Sequence, residues 1–222
     1  MSNRIKRIKK IPLKRYTILG ERNSGTNYLQ KLIDTNFHSE ITWDYGWKHF
    51  FGFSDYENSE DVIFIGIVRK FPDWANSLFI KPWHLQRELR KSKENFLSSQ
   101  FWSYKDEVSD TKNGDEIIED RNIYTRQRYN NIFDCRENKM RFLIEDMPKK
   151  VKNYILIRYE DLLYDFENTM TKIQKKFNFS IKTNNFPTNI KQINKLNIKK
   201  ITNEDIVNNS NYSDKYEKIM GY

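Results

Sequence analysis

The residues best suited to chemistry lie in one run, Gly20-Glu21-Arg22-Asn23-Ser24-Gly25-Thr26-Asn27-Tyr28. Its two glycines have the G-x-x-x-x-G spacing of a Walker A loop. Backbone N–H groups of such a turn converge, and a helix that follows adds positive potential, so the run suits a phosphate. Thr26 stands where a Walker loop has its Lys, and Asn27 stands where it has its Mg²⁺-binding Ser or Thr. ATP chemistry is handicapped by both replacements. Arg22 is the cation inside the run. The plainer alternative is a strand–turn–helix joint whose polar residues only cap the helix.

A second grip for an anion is Arg69, with Ser77 eight residues later. An Arg at the C-terminal end of a parallel strand faces the ligand crevice, and a guanidinium matches a phosphate. The third segment is Arg158-Tyr159-Glu160-Asp161-Leu162. Its two carboxylates fit the start of a helix better than a catalytic role. Of the three histidines, His38, His49 and His84, His49 follows Lys48 and precedes Arg69 by about twenty residues. A neutral imidazole is the natural base for a hydroxyl proton. Trp83-His84 opens a stretch, residues 81–115, that mixes aromatics with charges and reads as a lid or acceptor region.

These residues need a scaffold. The runs at 16–19, 62–68 and 154–157 are short, apolar and β-branched, as buried strands are. A helical pattern begins at Thr26 with Tyr28, Leu29, Leu32, Ile33 and Phe37 on one face. Pro72 fits the first turn of a helix through Trp74, Ser77 and Leu78. Another helix begins at Glu160 or Asp161 and carries Leu162, Leu163, Phe166, Met170, Ile173 and Phe177. The middle, residues 83–147, is polar and helical in pattern. Strands separated by helices imply a parallel sheet with right-handed crossovers. The expected organisation is a basic tail over residues 1–15 and a single α/β domain over 16–222.

Taken together, the loop, the Arg69…Ser77 pair and the Tyr159-Glu160-Asp161 segment resemble the PAPS-dependent sulfotransferase family. The likeness spans residues 16–80 and 150–180. The family's loop reads Lys/Arg-Ser-Gly-Thr-Thr-aromatic, and here the run is Asn23-Ser24-Gly25-Thr26-Asn27-Tyr28. The resemblance implies a three-layer, P-loop NTPase-like fold with a central parallel sheet flanked by helices. It implies transfer of a sulfuryl group from PAPS to a hydroxyl or amine, with PAP as product and no metal. Asn23, Ser24, Gly25, Thr26 and Asn27 would hold the phosphosulfate, with Arg22 as cation in place of Asn23. Tyr28 and Tyr159 would lie near the adenine, and Arg69 with Ser77 would hold the 3′-phosphate. His49 is the expected base and Lys48 the stabiliser of the transferring group; Asp34, Glu40 and Asp44 are the carboxylate alternatives. The family's C-terminal Arg-Lys-Gly element has no match here, and Lys199-Lys200 is the nearest substitute.

Composition sets the outer bounds. A net charge of +9 favours a polyanionic partner without choosing one. The single cysteine, Cys135, excludes a disulfide framework and fits a buried small residue in a reducing compartment. No stretch approaches the ~20 apolar residues of a membrane span, and no apolar segment follows the basic N-terminus. A soluble cytoplasmic protein with a small-molecule or glycan acceptor is expected. No Cys/His cluster has metal-ligand spacing. Two other classes compete: a P-loop nucleotide or small-molecule kinase, and a nucleic-acid-binding protein using Arg121, Arg126, Arg128, Tyr124, Tyr129, Lys149 and Lys150. Those residues read more simply as the solvated face of a helix.

Overall fold

The computed structural model describes residues 13–105, 114–190 and 198–222. Most of the expected basic tail lies outside them, as does part of the 81–115 stretch. In chain order the regular elements are β1 (Arg15–Leu19), α1 (Thr26–Asn36), β2 (Glu40–Ile41), β3 (Val62–Val68), α2 (Phe71–Ile80), α3 (Lys93–Ser98), α4 (Ile132–Arg141), α5 (Met147–Lys150), β4 (Tyr154–Arg158), α6 (Tyr159–Tyr164), α7 (Phe166–Phe177), α8 (Asn203–Val207) and α9 (Lys215–Ile219). The four strands form one parallel sheet in the order β2-β1-β3-β4.

The three strands expected from the sequence all form, within a residue at each end. The two-residue β2 was not expected, since Glu40-Ile41 is too short to carry a pattern. All seven positions of β3 are buried, because its alternating side chains serve two different layers. Ile63, Ile65 and Ile67 join Tyr16, Ile18, Ile155 and Ile157 beneath α1 and α7, where Leu29, Leu32, Ile33, Met170 and Ile173 meet them. Val62, Phe64 and Val68 face the other way, against Met140, Phe142, Leu143 and Met147. The chain is thus α/β, with an all-parallel sheet covered by helical segments on both faces. A third cluster joins α2 to α3 and α4 through Trp74, Leu78, Phe96 and Phe133, and encloses Cys135.

Two expected helices differ. The one assigned to Glu160 or Asp161 starts at Tyr159 and breaks at Asp165, whose φ of −137° and ψ of 45° are not helical. No Gly or Pro marks the break, so periodicity ran through it. Much of the described middle is not helical. Isolated antiparallel bridges, Leu85 to Ser103, Phe101 to Tyr129 and Tyr104 to Glu116, hold the chain there. Such long-range pairing overrides a weak local preference.

The connectivity locates a crevice. From β1 the chain crosses through α1 to β2 on one side, and the next strand, β3, pairs on the other side of β1. Ligand sites of open α/β sheets form where the strand order reverses in this way, at the carboxyl ends of the strands. The loop after β1 and Arg69 after β3 flank that point.

Candidate functional site

Both glycines of the loop have a steric reason. A Cβ on Gly20 would lie 2.6 Å from the Ile67 carbonyl oxygen of β3 and 2.9 Å from Ser24 Oγ. Gly25 has φ +99°, and a Cβ there would lie 2.3 Å from Cδ2 of Tyr159. The loop therefore lies close against β3 at one end and against the Tyr159 ring at the other. Ser24 stiffens it internally, its amide and hydroxyl both donating to the Glu21 carbonyl, at 3.1 and 2.6 Å. Gly25 then caps α1 with no capping side chain, and the first turn holds no acid. The positive end of an eleven-residue helix is left for an anion.

A cleft of about 710 Å³ opens over this turn, a size that suits a nucleotide-scale ligand. Asn23, Gly25, Thr26, Asn27, Tyr28, Lys48, His49, Arg69, Ser77 and Tyr159 all line it, as does part of Arg22. Ser24 does not; it is buried behind the loop. Lys31 and Lys81 also line it and were missed. Lys31 lies one helical turn beyond Asn27, a spacing that places both on one face, so the sequence held that signal.

Arg22 requires a correction as loop cation. Its guanidinium is 2% exposed and is bound on the inner side. It donates to the Trp83 carbonyl at 3.0 Å, to Ser103 Oγ at 2.7 Å and to Asp120 Oδ2 at 3.0 Å. Asp120 also meets the ammonium of Lys139, which meets Glu21 and donates to the His49 carbonyl at 3.0 Å. Two acids and two bases thus form a buried, charge-balanced cluster under the loop. The cations hold the Asp120 carboxyl below its ordinary range despite its burial, and the two acids raise Lys139. A buried cation takes its nearest carboxylate because desolvation without one is too costly. Asp120 lies about a hundred residues from Arg22 in the sequence, too far for spacing to reveal the pair.

The ammonium at the loop comes instead from Lys48. Its Nζ donates to Asn27 Oδ1 at 2.6 Å and lies 5.1 Å from the Trp47 ring centroid and 5.6 Å from that of Trp43. Burial among these rings pushes its pKa down. The segment is fixed by Gly20 itself. The Gly20 amide donates to the Lys48 carbonyl at 2.9 Å, and His49 Nδ1 lies 2.8 Å from the Gly20 carbonyl. A carbonyl only accepts, so Nδ1 carries the proton and Nε2 keeps its lone pair. Burial, then the nearby Arg22, Lys48 and Lys139 charges, lower the His49 pKa to about 3, against the opposing pull of the Gly20 carbonyl. The ring is neutral through the physiological range, with Nε2 unprotonated and, at rest, only weakly basic.

Across the cleft, Arg69 Nη1 donates to the Asn23 carbonyl at 3.2 Å, and its guanidinium lies 5.0 Å from the Tyr159 centroid. Tyr28 meets Tyr159 edge-on at 6.4 Å. Asn23 Nδ2 reaches the Lys81 carbonyl at 3.0 Å and the Ser77 carbonyl at 3.5 Å, tying the loop to the end of α2. A second buried pair supports this corner. Arg136, bonded to Glu217 at 2.6 and 2.8 Å, donates to the Arg69 carbonyl at 2.9 Å, while Glu217 accepts from the Phe71 amide at 3.3 Å. The last residue, Tyr222, donates to Glu160 at 2.7 Å.

The remaining candidates fall elsewhere. Asp34 accepts from Tyr16, Asp44 pairs with Arg15, and Glu40 is exposed in β2; none of the three lines the cleft. Lys200 and Ile201 donate from their backbones to Asn76 beside Ser77, so the 199–200 segment lies against α2. The Arg121–Arg128 residues are not the helical face expected. They precede α4, where Arg121 and Arg128 share Glu116, Arg126 lies over Phe53, and Tyr129 is buried. No helix among the described residues is long and apolar enough to cross a membrane, and they contain no group of three or more His, Cys, Asp or Glu that could hold a metal ion.

Together these features define an α/β protein whose parallel sheet carries a basic, loop-and-helix cleft at its switch point. No family model, curated protein or solved structure matches the chain.

Proposed function

We propose that the protein is a sulfotransferase of P-loop type, which moves a sulfuryl group from PAPS to an acceptor hydroxyl and releases PAP. One observation carries the reading. Lys48 and the neutral His49 sit together at the mouth of a phosphate-type loop, and Arg69 with Ser77 offers a second anion grip across the same cleft. A donor phosphorylated at both ends needs two such grips. The cleft's size and its excess of Lys and Arg over Asp73 and Glu160 suit that donor.

The chain's own groups then have these roles. The Gly25–Asn27 turn and Lys48 bind the 5′-phosphosulfate, and Arg69 and Ser77 bind the 3′-phosphate. Tyr28 and Tyr159 flank the adenine. His49 Nε2 takes the acceptor's hydroxyl proton as the acceptor oxygen forms its bond to sulfur. The bond between sulfur and the phosphate oxygen breaks, and that oxygen keeps the electron pair, beside the Lys48 ammonium. The donor's negative charge raises the His49 pKa from its low resting value, which makes Nε2 a stronger base when the donor is present.

Thermal-shift titration with PAP and, separately, with ATP and Mg²⁺ tests the reading. Stabilisation by PAP is expected. Stabilisation by ATP–Mg²⁺ alone would replace it with a P-loop kinase, in which Lys48 stands in for the missing Walker cation.

A further inference from the structure

A succession of ring contacts runs past His49, and of its members Trp47, His49 and His84 line the cleft. Trp43, Trp47, His49, Phe50 and His84 follow one another with centroid separations of 4.8, 6.4, 6.4 and 5.7 Å. Trp83 is next to His84 and lines the same cleft. The chain has five tryptophans. Trp74 is buried and Trp43 and Trp102 are partly so, whereas Trp47 is 45% and Trp83 60% exposed. Both exposed indoles therefore belong to this one cleft, on the side that holds the base. Leaving an indole in water forgoes a large burial gain, so two of them at one site point to a ligand that covers them.

We infer that Trp47 and Trp83 form a stacking platform for the acceptor, and that the acceptor is an extended saccharide of more than one sugar unit. The inference rests on the sulfotransferase reading and names its acceptor. A phenol or other flat aromatic gains most from an enclosed apolar slot that strips water from both of its faces. Here the rings are open to solvent and the lining carries Lys31, Lys48 and Lys81. A pyranose ring has an apolar C–H face and a rim of hydroxyls. It covers an exposed indole with the one and leaves the other hydrated, so no polar group is buried without a partner. Trp47 and Trp83 offer two separate indole faces on one cleft, and the His49 ring lies 6.4 Å from that of Trp47. A saccharide that covers both indoles has more than one unit, and a hydroxyl on the unit over Trp47 can reach Nε2.

Binding is read without turnover, by tryptophan fluorescence and saturation-transfer NMR, with cellotetraose and a hyaluronan tetrasaccharide as saccharide probes and 2-naphthol as the phenolic probe. PAP affinity is measured in parallel by calorimetry. At least one tetrasaccharide is expected to bind. Trp83→Ala is expected to weaken it about tenfold, the equivalent of losing one good ring contact, with PAP affinity unchanged and Trp83→Tyr restoring most of the loss. Binding of 2-naphthol with neither tetrasaccharide bound overturns the inference. So does a Trp83→Ala variant that keeps full tetrasaccharide affinity. Absence of PAP binding in the unaltered protein counts against the donor reading alone, because the saccharide arm is read without donor.

Discussion

Replacing Asp120 with Asn tests whether the buried charge cluster holds the site in place. The Asp120 side chain is fully buried and faces Arg22, Lys139 and Ser103. With Glu21, the cluster holds two negative and two positive charges. Asp120→Asn keeps the shape but leaves one positive charge buried and uncompensated. Breaking a buried pair in this way costs about 3–5 kcal/mol, against a total stability of about 5–15 kcal/mol for a folded chain. For a chain of this length each kcal/mol shifts Tm by about 2–4 °C, so a fall of roughly 6–20 °C is expected. The loss follows from charge imbalance, so removing a positive partner as well should recover much of it. Asp120→Asn with Lys139→Met is expected to be more stable than Asp120→Asn alone, and the double-mutant cycle gives the coupling. Urea unfolding followed by circular dichroism and tryptophan fluorescence supplies the numbers. An Asp120→Asn variant within ~0.5 kcal/mol of the parent, the range of ordinary surface changes, would refute the reasoning.

Gly25→Ala must hold a left-handed φ and push a Cβ into Tyr159; PAP affinity by calorimetry should fall at least tenfold, because the loop must shift to relieve the clash. His49→Ala should lower turnover of PAPS by about 10²–10⁴-fold while PAP affinity changes little, the mark of a base and not a binding group. The His49 pKa is depressed from 6.5 to about 3, so its active neutral form persists as pH falls below 6.5, and kcat/KM should show no acid limb from this group near 6.5. The same shift has a stability sign: below 6.5 the unfolded chain binds a proton that the folded His49 refuses, so the parent loses stability on acidification and His49→Ala loses less, as paired denaturation curves at several pH values will show. Glu217→Gln weakens the Arg136 pair that fixes the Arg69 carbonyl, and it should weaken PAP binding without changing the pH profile of turnover.

The strands were legible because β3 is a short, continuous, β-branched apolar run followed directly by Arg69, as a parallel strand covered on both faces is. The loop was legible because its two glycines keep the G-x-x-x-x-G spacing between a strand and a helix; that Gly20 must pass close to Ile67 of β3 only the tertiary structure showed. The break at Asp165 carries no Gly or Pro; its one signal was an Asp at the N-cap of α7, which the continuous apolar periodicity masked. The bridges around Ser103 and Tyr129 left no mark, because they join residues far apart in the chain.

By itself, then, the sequence determined the strand–loop–helix order, the α/β class and the short-range grouping of Lys48 with His49 and of Arg69 with Ser77. Those features depend on periodicity and near-neighbour sterics, which one stretch of chain contains. Only the tertiary structure decided which cation faces the loop. Arg22 lies within the loop but turns inward, because Asp120 and Ser103 come from a distant segment and satisfy its buried charge. Lys48 lies over twenty residues away in sequence, yet reaches Asn27 because both bonds of Gly20 hold its segment against the turn. The choice between them was made by the cost of burying a charge, and that cost is fixed only when distant parts of the chain meet.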